Sequence, residues 1–247
     1  MAASANSGLT GLDPATLKRR SFVYRKLVAA GAEFAEINGG AVAMRYPARK
    51  EGETESARRM ALADLSVLPH GGFKGRGTVE WLTAQGLTIG PDSNKAYAQA
   101  GGELAARLAP TEIFLLDALA GSGALINRLN DAWQWAASAP RPQQGYPTPR
   151  QDSHAWFMVT GAKAPEMFAK ICGVDLRPAH CPIGTIAQTS IAKMSGIVIR
   201  ADLGGTLAYH LLADIASADY LWTCLEDAIA EYDGRIVGLA ALRALQA

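Results

Sequence analysis

The chain has 247 residues, a formal net charge of +1, and 49% apolar against 19% charged residues. That length buries a sizeable core, in one large domain or in two closely packed halves. The near-zero charge and scattered basic residues give no footing for nucleic acid or an anionic membrane as partner. No apolar run reaches the roughly 18 residues that a spanning helix needs.

The first residues, Met1 to Pro14, lack the charged-then-apolar layout of a secretion signal, and 1–20 read as a flexible tail. The run Leu17-Lys18-Arg19-Arg20 reads as a solvated helix face. Residues 15–30 carry apolar positions at helical spacing and stop at Gly31. Asn38-Gly39-Gly40 then separates two alternating runs, the signature of a hairpin. Residues 48–59 are polar and read as a surface loop leading into a helix. From Met60 the order is strand, turn, strand, with Gly75 and Gly77 ahead of a helix that begins near Thr78 and stops at Gly86. Two strands flank Pro110-Thr111-Glu112, and residues 121–138 are helical.

The segment 139–151 is rich in Pro, Gln and Arg. Proline removes donors and fixes φ, so no regular element runs through it. It divides the chain into a first α/β half, 21–138, a linker, 139–151, and a second α/β half, 152–247. In the second half, a strand over 153–161 leads into a short helix with Pro165 in its first turn. Three strands follow over 184–214, with Gly204-Gly205 turning the last pair. An amphipathic helix closes the pattern over 216–232, with Ser217 as its expected cap. Each half therefore runs strand, glycine turn, short helix, hairpin, longer helix.

The duplication is visible in the residues. "FKGRGTVEWL" (73–82) and "VTGAKAPEMF" (159–168) align at one constant offset, Gly75 on Gly161, Glu80 on Glu166, Trp81 on Met167 and Leu82 on Phe168. The glycines suit a tight exit from strand to helix, where a side chain would collide, and the paired apolar residues supply the inward face of each helix. A phosphate cradle is the rival reading. "GGFKGRG" fits neither G-x-x-x-x-G-K-[ST] nor G-x-G-x-x-G with an acid about twenty residues on.

The stretch "LADLSVLPHGGFKGRGTVEWLTAQGL" resembles the folate-binding aminomethyltransferases, the T-protein of the glycine cleavage system. The likeness is closer to a smaller relative, the gamma subunit of heterotetrameric sarcosine oxidases. "GGFKGRGTVEWLTAQGL", "ARLAPTEIFLL", "DSHAWFMVTG", "DLRPAHCPIGTIAQTSIAKMSGIVIR" and "SADYLWTCLEDA" are its stations, in order, over about residues 25–232. The resemblance implies an α+β, pseudo-duplicated aminomethyltransferase-like fold of two mostly antiparallel sheets with helices. It also implies a cytoplasmic complex that demethylates N-methyl amino acids and passes the one-carbon unit to folate. In such a complex alpha, beta and delta-type subunits are the partners, and FAD, FMN and NAD reside in them. This chain would be an inactive subunit when isolated.

T-proteins carry an acid after a "GG-x-x-D-D" turn, beside the reactive folate nitrogen. The matching stretch here is "GGELAARLA", which puts Ala105 and Ala106 where the acids belong. A methyl group holds no proton, so no catalytic residue is assigned. Glu103 lies two residues early, on the same strand face as Ala105. The late hairpin "DLGGTLAYHLL" offers Tyr209 and His210 but no Glu for a pterin ring. Glu103 and Tyr209 are the folate-pocket candidates, and tetrahydrofolate is the only cofactor considered for this chain. The alternative is a free-standing tetrahydrofolate-dependent aminomethyltransferase or demethylase with non-standard catalytic groups. A folate-fold assembly protein ranks last, since its K-G-C-[YF]-x-G-Q-E motif is absent.

Other chemistry finds less support. Cys172, Cys181 and Cys224 make an odd count without C-x-x-C spacing, so reduced structural thiols are expected and a zinc site is not. His70 reads as an exposed loop residue, His154 as a loop cap and His210 as sheet packing. His180 beside Cys181 does not make a nucleophile pair, because neighbours on extended chain point apart. No G-x-S-x-G occurs. Asp64-Leu65-Ser66 reads as a tie between a strand end and a neighbouring loop. Trp133 and Trp135 diverge around a helix, one inward and one available to a partner.

Overall fold

The computed structural model describes residues 11–47, 52–133 and 145–246. Asp13 accepts the Ala15 N–H at 2.8 Å, which starts a single 3-10 turn, Pro14–Thr16. Strand β1 (Arg19–Arg20) and helix α1 (Tyr24–Ala29) follow. The single helix expected over 15–30 is therefore interrupted. The arginine run pairs in parallel with Gly40 and Ala41 instead, so its backbone groups are satisfied by a strand rather than by a helical turn. The stop at Gly31 is as expected, with φ at 82°. Strands β2 (Glu33–Ile37) and β3 (Gly40–Arg45) form the expected hairpin, and Asn38 and Gly39 supply positive φ values of 49° and 77°. These three strands make a small sheet in the order β1-β3-β2.

Helix α2 (Glu53–Arg59) places Glu53 and Glu55 in its first turn and Arg58 and Arg59 in its last, the polarity its dipole favours. Strands β4 (Ala61–Asp64) and β5 (His70–Lys74) follow, then helix α3 (Thr78–Ala84). Next come strands β6 (Lys95–Ala98), β7 (Leu104–Ala109) and β8 (Glu112–Leu116), and helix α4 (Ala124–Ala132). After β9 (Tyr146–Pro147) the pattern recurs: β10 (His154–Thr160), α5 (Ala164–Ile171), β11 (Ile186–Ile191), β12 (Met194–Arg200), β13 (Ala208–Asp214) and α6 (Ala218–Ala230). Strand β14 (Arg235–Ile236) and helix α7 (Leu239–Gln246) end the chain. Residues 139–144 of the proline-rich stretch, and Trp135, lie outside the described residues.

The sheets carry the duplication further than the repeated motif does. Their orders are β6-β7-β8-β5-β9 and β11-β12-β13-β10-β4-β14. In each, a founding strand (β5 or β10) exits through a glycine into a short helix and then pairs antiparallel with the last strand of a three-stranded meander. The first meander includes β6, which the sequence reading does not contain. Lys95-Ala-Tyr-Ala98 has too few β-branched residues to announce a strand, and pairing with β7 decides its state. The five-stranded sheet is antiparallel throughout, and the six-stranded sheet departs from that only where β14 runs parallel to β4. Strand β4, early in the chain, is hydrogen-bonded between β10 and β14.

The two glycines of the repeated motif have φ values of 133° (Gly75) and 107° (Gly161). At Gly161 the reason is close approach. The N–H groups of Ala162 and Lys163 donate to Arg58 and Arg59, whose carbonyls at the end of α2 lack helical partners. A Cβ on Gly161 would stand 2.4 Å from the Arg59 carbonyl carbon and oxygen. The paired apolar residues also behave alike: Leu82, Met167 and Phe168 are fully buried, and Trp81 packs its ring 4.9 Å from that of Phe73.

Strand alternation assigns the layers. Trp156 and Met158 of β10 meet Ala106, Phe114 and Leu116 of the five-stranded sheet in a core between the sheets. Phe157 and Val159 point the other way, onto Phe168 of α5 and Trp222 and Leu225 of α6. Phe73, Ile113 and Leu115 likewise face Leu82 of α3 and Leu129 of α4. The molecule is thus helix, sheet, sheet, helix. The expected Ser217 cap is not formed. Asp214 accepts the Ala216 N–H at 2.8 Å and starts a 3-10 turn, Ile215–Ser217, ahead of α6.

Candidate functional site, a cavity between the two sheets

A cavity of about 230 Å³ opens where the two meanders approach each other. Ala96 and Ala98 of β6 and Leu104 of β7 form one wall. The β12–β13 hairpin forms the other with Arg200, Asp202, Leu203 and His210, and Ile183 stands at the mouth, 60% exposed. Asp117, one residue beyond β8, enters from the five-stranded side. The sheets are joined here by a direct bond, Ala96 N–H to the Gly184 carbonyl at 2.7 Å, so the cavity is a built part of the interface.

Its polar groups are held in place. The Arg200 guanidinium grips Asp202 with Nε to Oδ1 at 2.9 Å and Nη2 to Oδ2 at 2.7 Å, and Nη1 donates to the Cys181 carbonyl at 2.7 Å. A fork-to-carboxylate pair of this kind fixes direction as well as charge. His210 is buried and accepts the Trp156 Nε1–H on its Nδ1 at 2.9 Å. Burial holds its pKa down to about 4, so the ring is neutral near pH 7. With Nδ1 accepting, its proton sits on Nε2. Asp117 is 4% exposed, and its Oδ2 accepts the Gly123 N–H at 2.7 Å. Its Oδ1 has no hydrogen-bond partner. Burial pushes this carboxyl above the usual range, opposed by the Gly123 and Ala118 N–H groups, with the nearby Glu103 charge adding to the rise.

The residues singled out from sequence are dispersed by the fold. Ala105 and Ala106 are fully buried; Ala106 faces the inter-sheet core and Ala105 the α3–α4 layer. Glu103 stands beside the cavity without lining it, its carboxylate folded back within 2.6 Å of where a Gly101 Cβ would be. Tyr209 is fully buried on the helical side of its sheet, where its hydroxyl donates to the Leu176 carbonyl at 2.7 Å and its ring meets Phe168 edge-on. Burial raises its pKa to about 12. The cavity instead receives its neighbour in sequence, His210, because alternate strand residues face opposite ways.

Asp117 escaped the sequence reading. The available signal was a carboxylate ending the apolar run Ile113–Leu116, all of it buried, just before two glycines. His70 is a correction: it is 2% exposed, the first residue of β5 and not an exposed loop residue. Its Nδ1 lies 2.8 Å from the Leu68 carbonyl and its Nε2 3.1 Å from that of His154, partners that a local reading does not see. Asp64 and Ser66 act as expected. Ser66 Oγ donates to Asp64 at 2.7 Å and accepts the Trp156 N–H at 3.0 Å, which ties β4 to β10. Cys172, Cys181 and Cys224 are free thiols, and among the described residues no group of His, Cys, Asp or Glu is arranged to hold a metal. Trp133 is half-buried, its Nε1–H on the Gly145 carbonyl at 2.8 Å. Among the described residues no helix is long and apolar enough to cross a membrane.

The His210 environment predicts a pH dependence. Between about 6.5 and about 4 the unfolded chain takes up a proton that folded His210 refuses, so stability falls as the pH falls through this window. At pH 5 the loss is on the order of 2 kcal/mol. Asp64 and Asp117 act in the opposite sense: each carboxyl, raised by burial, weakens the fold at neutral pH and ceases to do so as pH falls through its folded value. His70 and His154, also held low chiefly by burial, act in the same sense as His210, and all four groups remain in His210→Asn, so that variant's urea midpoint should fall less than the wild type's, or not at all, between pH 7 and pH 5. Equal changes would remove His210 as the cause.

The family model for the GCVT N-terminal domain matches residues 104–247, more than half of the chain, so the chain belongs to that family. No curated protein sequence matches it. A chain of the heterotetrameric sarcosine oxidase from Corynebacterium sp. U-96, solved with pyrrole 2-carboxylate, superposes with a TM-score of 0.62 at 19% identity, covering 87% of this chain and 97% of that one. The glycine cleavage system aminomethyltransferase T from Bartonella henselae superposes with a TM-score of 0.66 at 19% identity, over 92% of this chain and 62% of that one. The fold is thus that of the T-protein and its relatives, as the resemblance implied; beyond the two sheets expected, the chain carries a small third sheet near its start.

Proposed function

We propose that this chain is a gamma-type, non-catalytic subunit of a sarcosine-oxidase-like flavoenzyme. In that enzyme, alpha, beta and delta-type partners would hold FAD, FMN and NAD and demethylate an N-methyl amino acid, passing the one-carbon unit to folate. The observation that carries the reading is the pair of alanines, Ala105 and Ala106, fully buried at the positions where the sequence resemblance implies the family's acids. The similarity in length to a chain of a heterotetrameric sarcosine oxidase supports it. Tetrahydrofolate fits poorly here. The cavity of about 230 Å³ is below the roughly 300–1,000 Å³ of sites that enclose drug-sized ligands. Of the two folate candidates, Glu103 lies beside that cavity and Tyr209 on the far side of its sheet. The chain's own contribution is then mechanical: two sheets locked face to face present a rigid body to larger subunits.

Co-expression with flavoproteins of the sarcosine oxidase type from the same genome tests the reading. A complex that retains flavin through affinity and size-exclusion steps is the expected result. A chain that elutes alone under all such pairings rules the subunit role out.

Asp117 favours a second reading, a free-standing tetrahydrofolate-dependent aminomethyltransferase or demethylase. A buried carboxyl with a raised pKa and a neutral imidazole are groups that handle protons. Calorimetry of the isolated chain with tetrahydrofolate separates the two. Micromolar binding that Asp117→Asn abolishes supports the second reading, and absence of heat supports the first.

A further inference from the structure

The charged groups of the cavity wall are engaged, and one neutral donor is not. Arg200 and Asp202 neutralise each other in a two-point pair, and a further Arg200 nitrogen goes to the Cys181 carbonyl. Asp117 presents no free oxygen to the space, since Oδ2 takes the Gly123 N–H and Oδ1 is sealed in protein. His210 differs. It is 6% exposed, its Nδ1 accepts the Trp156 N–H, and its proton therefore sits on Nε2. Among the described residues no protein atom accepts that N–H, and Nε2 is not one of the sealed polar atoms. The little surface that His210 exposes thus carries an unanswered donor into the cavity it lines. A buried donor without an acceptor costs free energy until an acceptor arrives.

We infer that this cavity binds a small neutral carbonyl compound, its oxygen on the His210 Nε2–H and its apolar body against Leu104, Leu119 and Leu203. The volume sets the size, since about 230 Å³ admits a compact ketone and excludes a cofactor. The engaged charges set the class. A carboxylate finds no unpaired cation, because Asp202 takes up the Arg200 fork. An ammonium finds no open carboxylate, because the oxygens of Asp117 and Asp202 are bonded or sealed. A hydrocarbon leaves the N–H unanswered. A carbonyl oxygen accepts it and brings no hydrogen of its own for the apolar walls to strand. The imidazole is held to this task by the Trp156 bond at 2.9 Å, which fixes both its orientation and its tautomer. Gln246, also of the lining, is exposed and stands at the rim. The inference goes beyond the subunit role proposed above, and its test uses the chain alone.

Cyclohexanone, with methylenecyclohexane, cyclohexylammonium and cyclopentanecarboxylate as its hydrocarbon, cationic and anionic counterparts, is titrated into the full chain and followed by amide and imidazole nitrogen shifts. Saturable shifts at Leu104, Leu203 and the His210 Nε2 are expected with the ketone, and binding weaker by about fivefold or more with each counterpart. His210→Phe, which keeps a ring but removes the donor, should weaken ketone binding by about fivefold or more. Should that variant not fold, Ala98→Leu at the cavity rim, which leaves His210 in place, should block binding by filling the space. A counterpart that binds as tightly as the ketone, no saturable shift with the ketone, or undiminished binding in whichever variant folds overturns the assignment. A failure here leaves the co-expression result untouched, because that experiment does not depend on the cavity.

Discussion

Gly161→Ala should destabilise the chain by at least about 3 kcal/mol, whereas Gly31→Ala should cost only about 1–2 kcal/mol. Both glycines have positive φ, 107° and 82°, so both substitutions carry the strain of a left-handed side chain. They differ in what a Cβ would meet. Nothing lies within 4 Å at Gly31, but at Gly161 the Arg59 carbonyl and the Met60 nitrogen lie at 2.4 and 2.6 Å. Those atoms are backbone and cannot swing aside as a side chain would. They are also fixed by the bonds from Ala162 and Lys163 into the end of α2, so moving the turn away breaks the partners of that helix. A domain is stable by only about 5–15 kcal/mol, so the first variant spends a large share of the total. Urea unfolding with unchanged m-values measures both. Equal costs at the two positions would show that the turn relaxes away from α2 and that close approach is not why glycine is there.

Trp156→Ala should cost about 3–5 kcal/mol, the range for removing a large ring from a tight core. Trp156 is fully buried between the sheets, with the His70 ring edge-on at 5.8 Å and the His210 ring at 5.6 Å. Its backbone N–H is held by Ser66 as well, so the site has little freedom to collapse into the void. Trp156→Phe is the sharper test of the cavity. It keeps most of the volume but leaves His210 Nδ1 without a donor, a buried unsatisfied acceptor worth about 1–3 kcal/mol. The same loss frees the imidazole tautomer. Nitrogen chemical shifts should show Nδ1 unprotonated and Nε2 protonated in the wild type, and a mixture of tautomers in Trp156→Phe. A wild-type ring protonated on Nδ1 would contradict the hydrogen bond from Trp156 and with it the orientation of His210 toward the cavity.

Local chemistry was legible where the answer is local. Asn38-Gly39 demands a two-residue hairpin, Pro165 opens a helix, and the repeated motif with Gly75 and Gly161 announces two founding strands with their helices. Pairing between distant segments was not. Strand β6 carries no pattern of its own, β1 is two arginines that read as helix until Gly40 and Ala41 are brought beside them, and β4 joins β10 across about ninety intervening residues. His70 shows the same limit in a single residue: flanked by Pro69 and Gly71 it looks like a turn, yet its ring is buried against carbonyls that include one from His154. Family resemblance directed attention to Ala105 and Ala106, and thereby past Asp117, which lies on the neighbouring strand's exit.

By itself, then, the order of residues determined the doubled strand-helix-hairpin order and the positions of its glycines, because each depends on neighbours within a few residues. Only the tertiary structure decided which side chains share the cavity. Tyr209 and His210 are adjacent in sequence and a sheet apart in space. Asp117 and Arg200 are far apart in sequence and line one wall and the other of the same space. The face a strand residue takes depends on which sheet its strand joins and what packs on it, and that is settled by the burial of two sheets against each other.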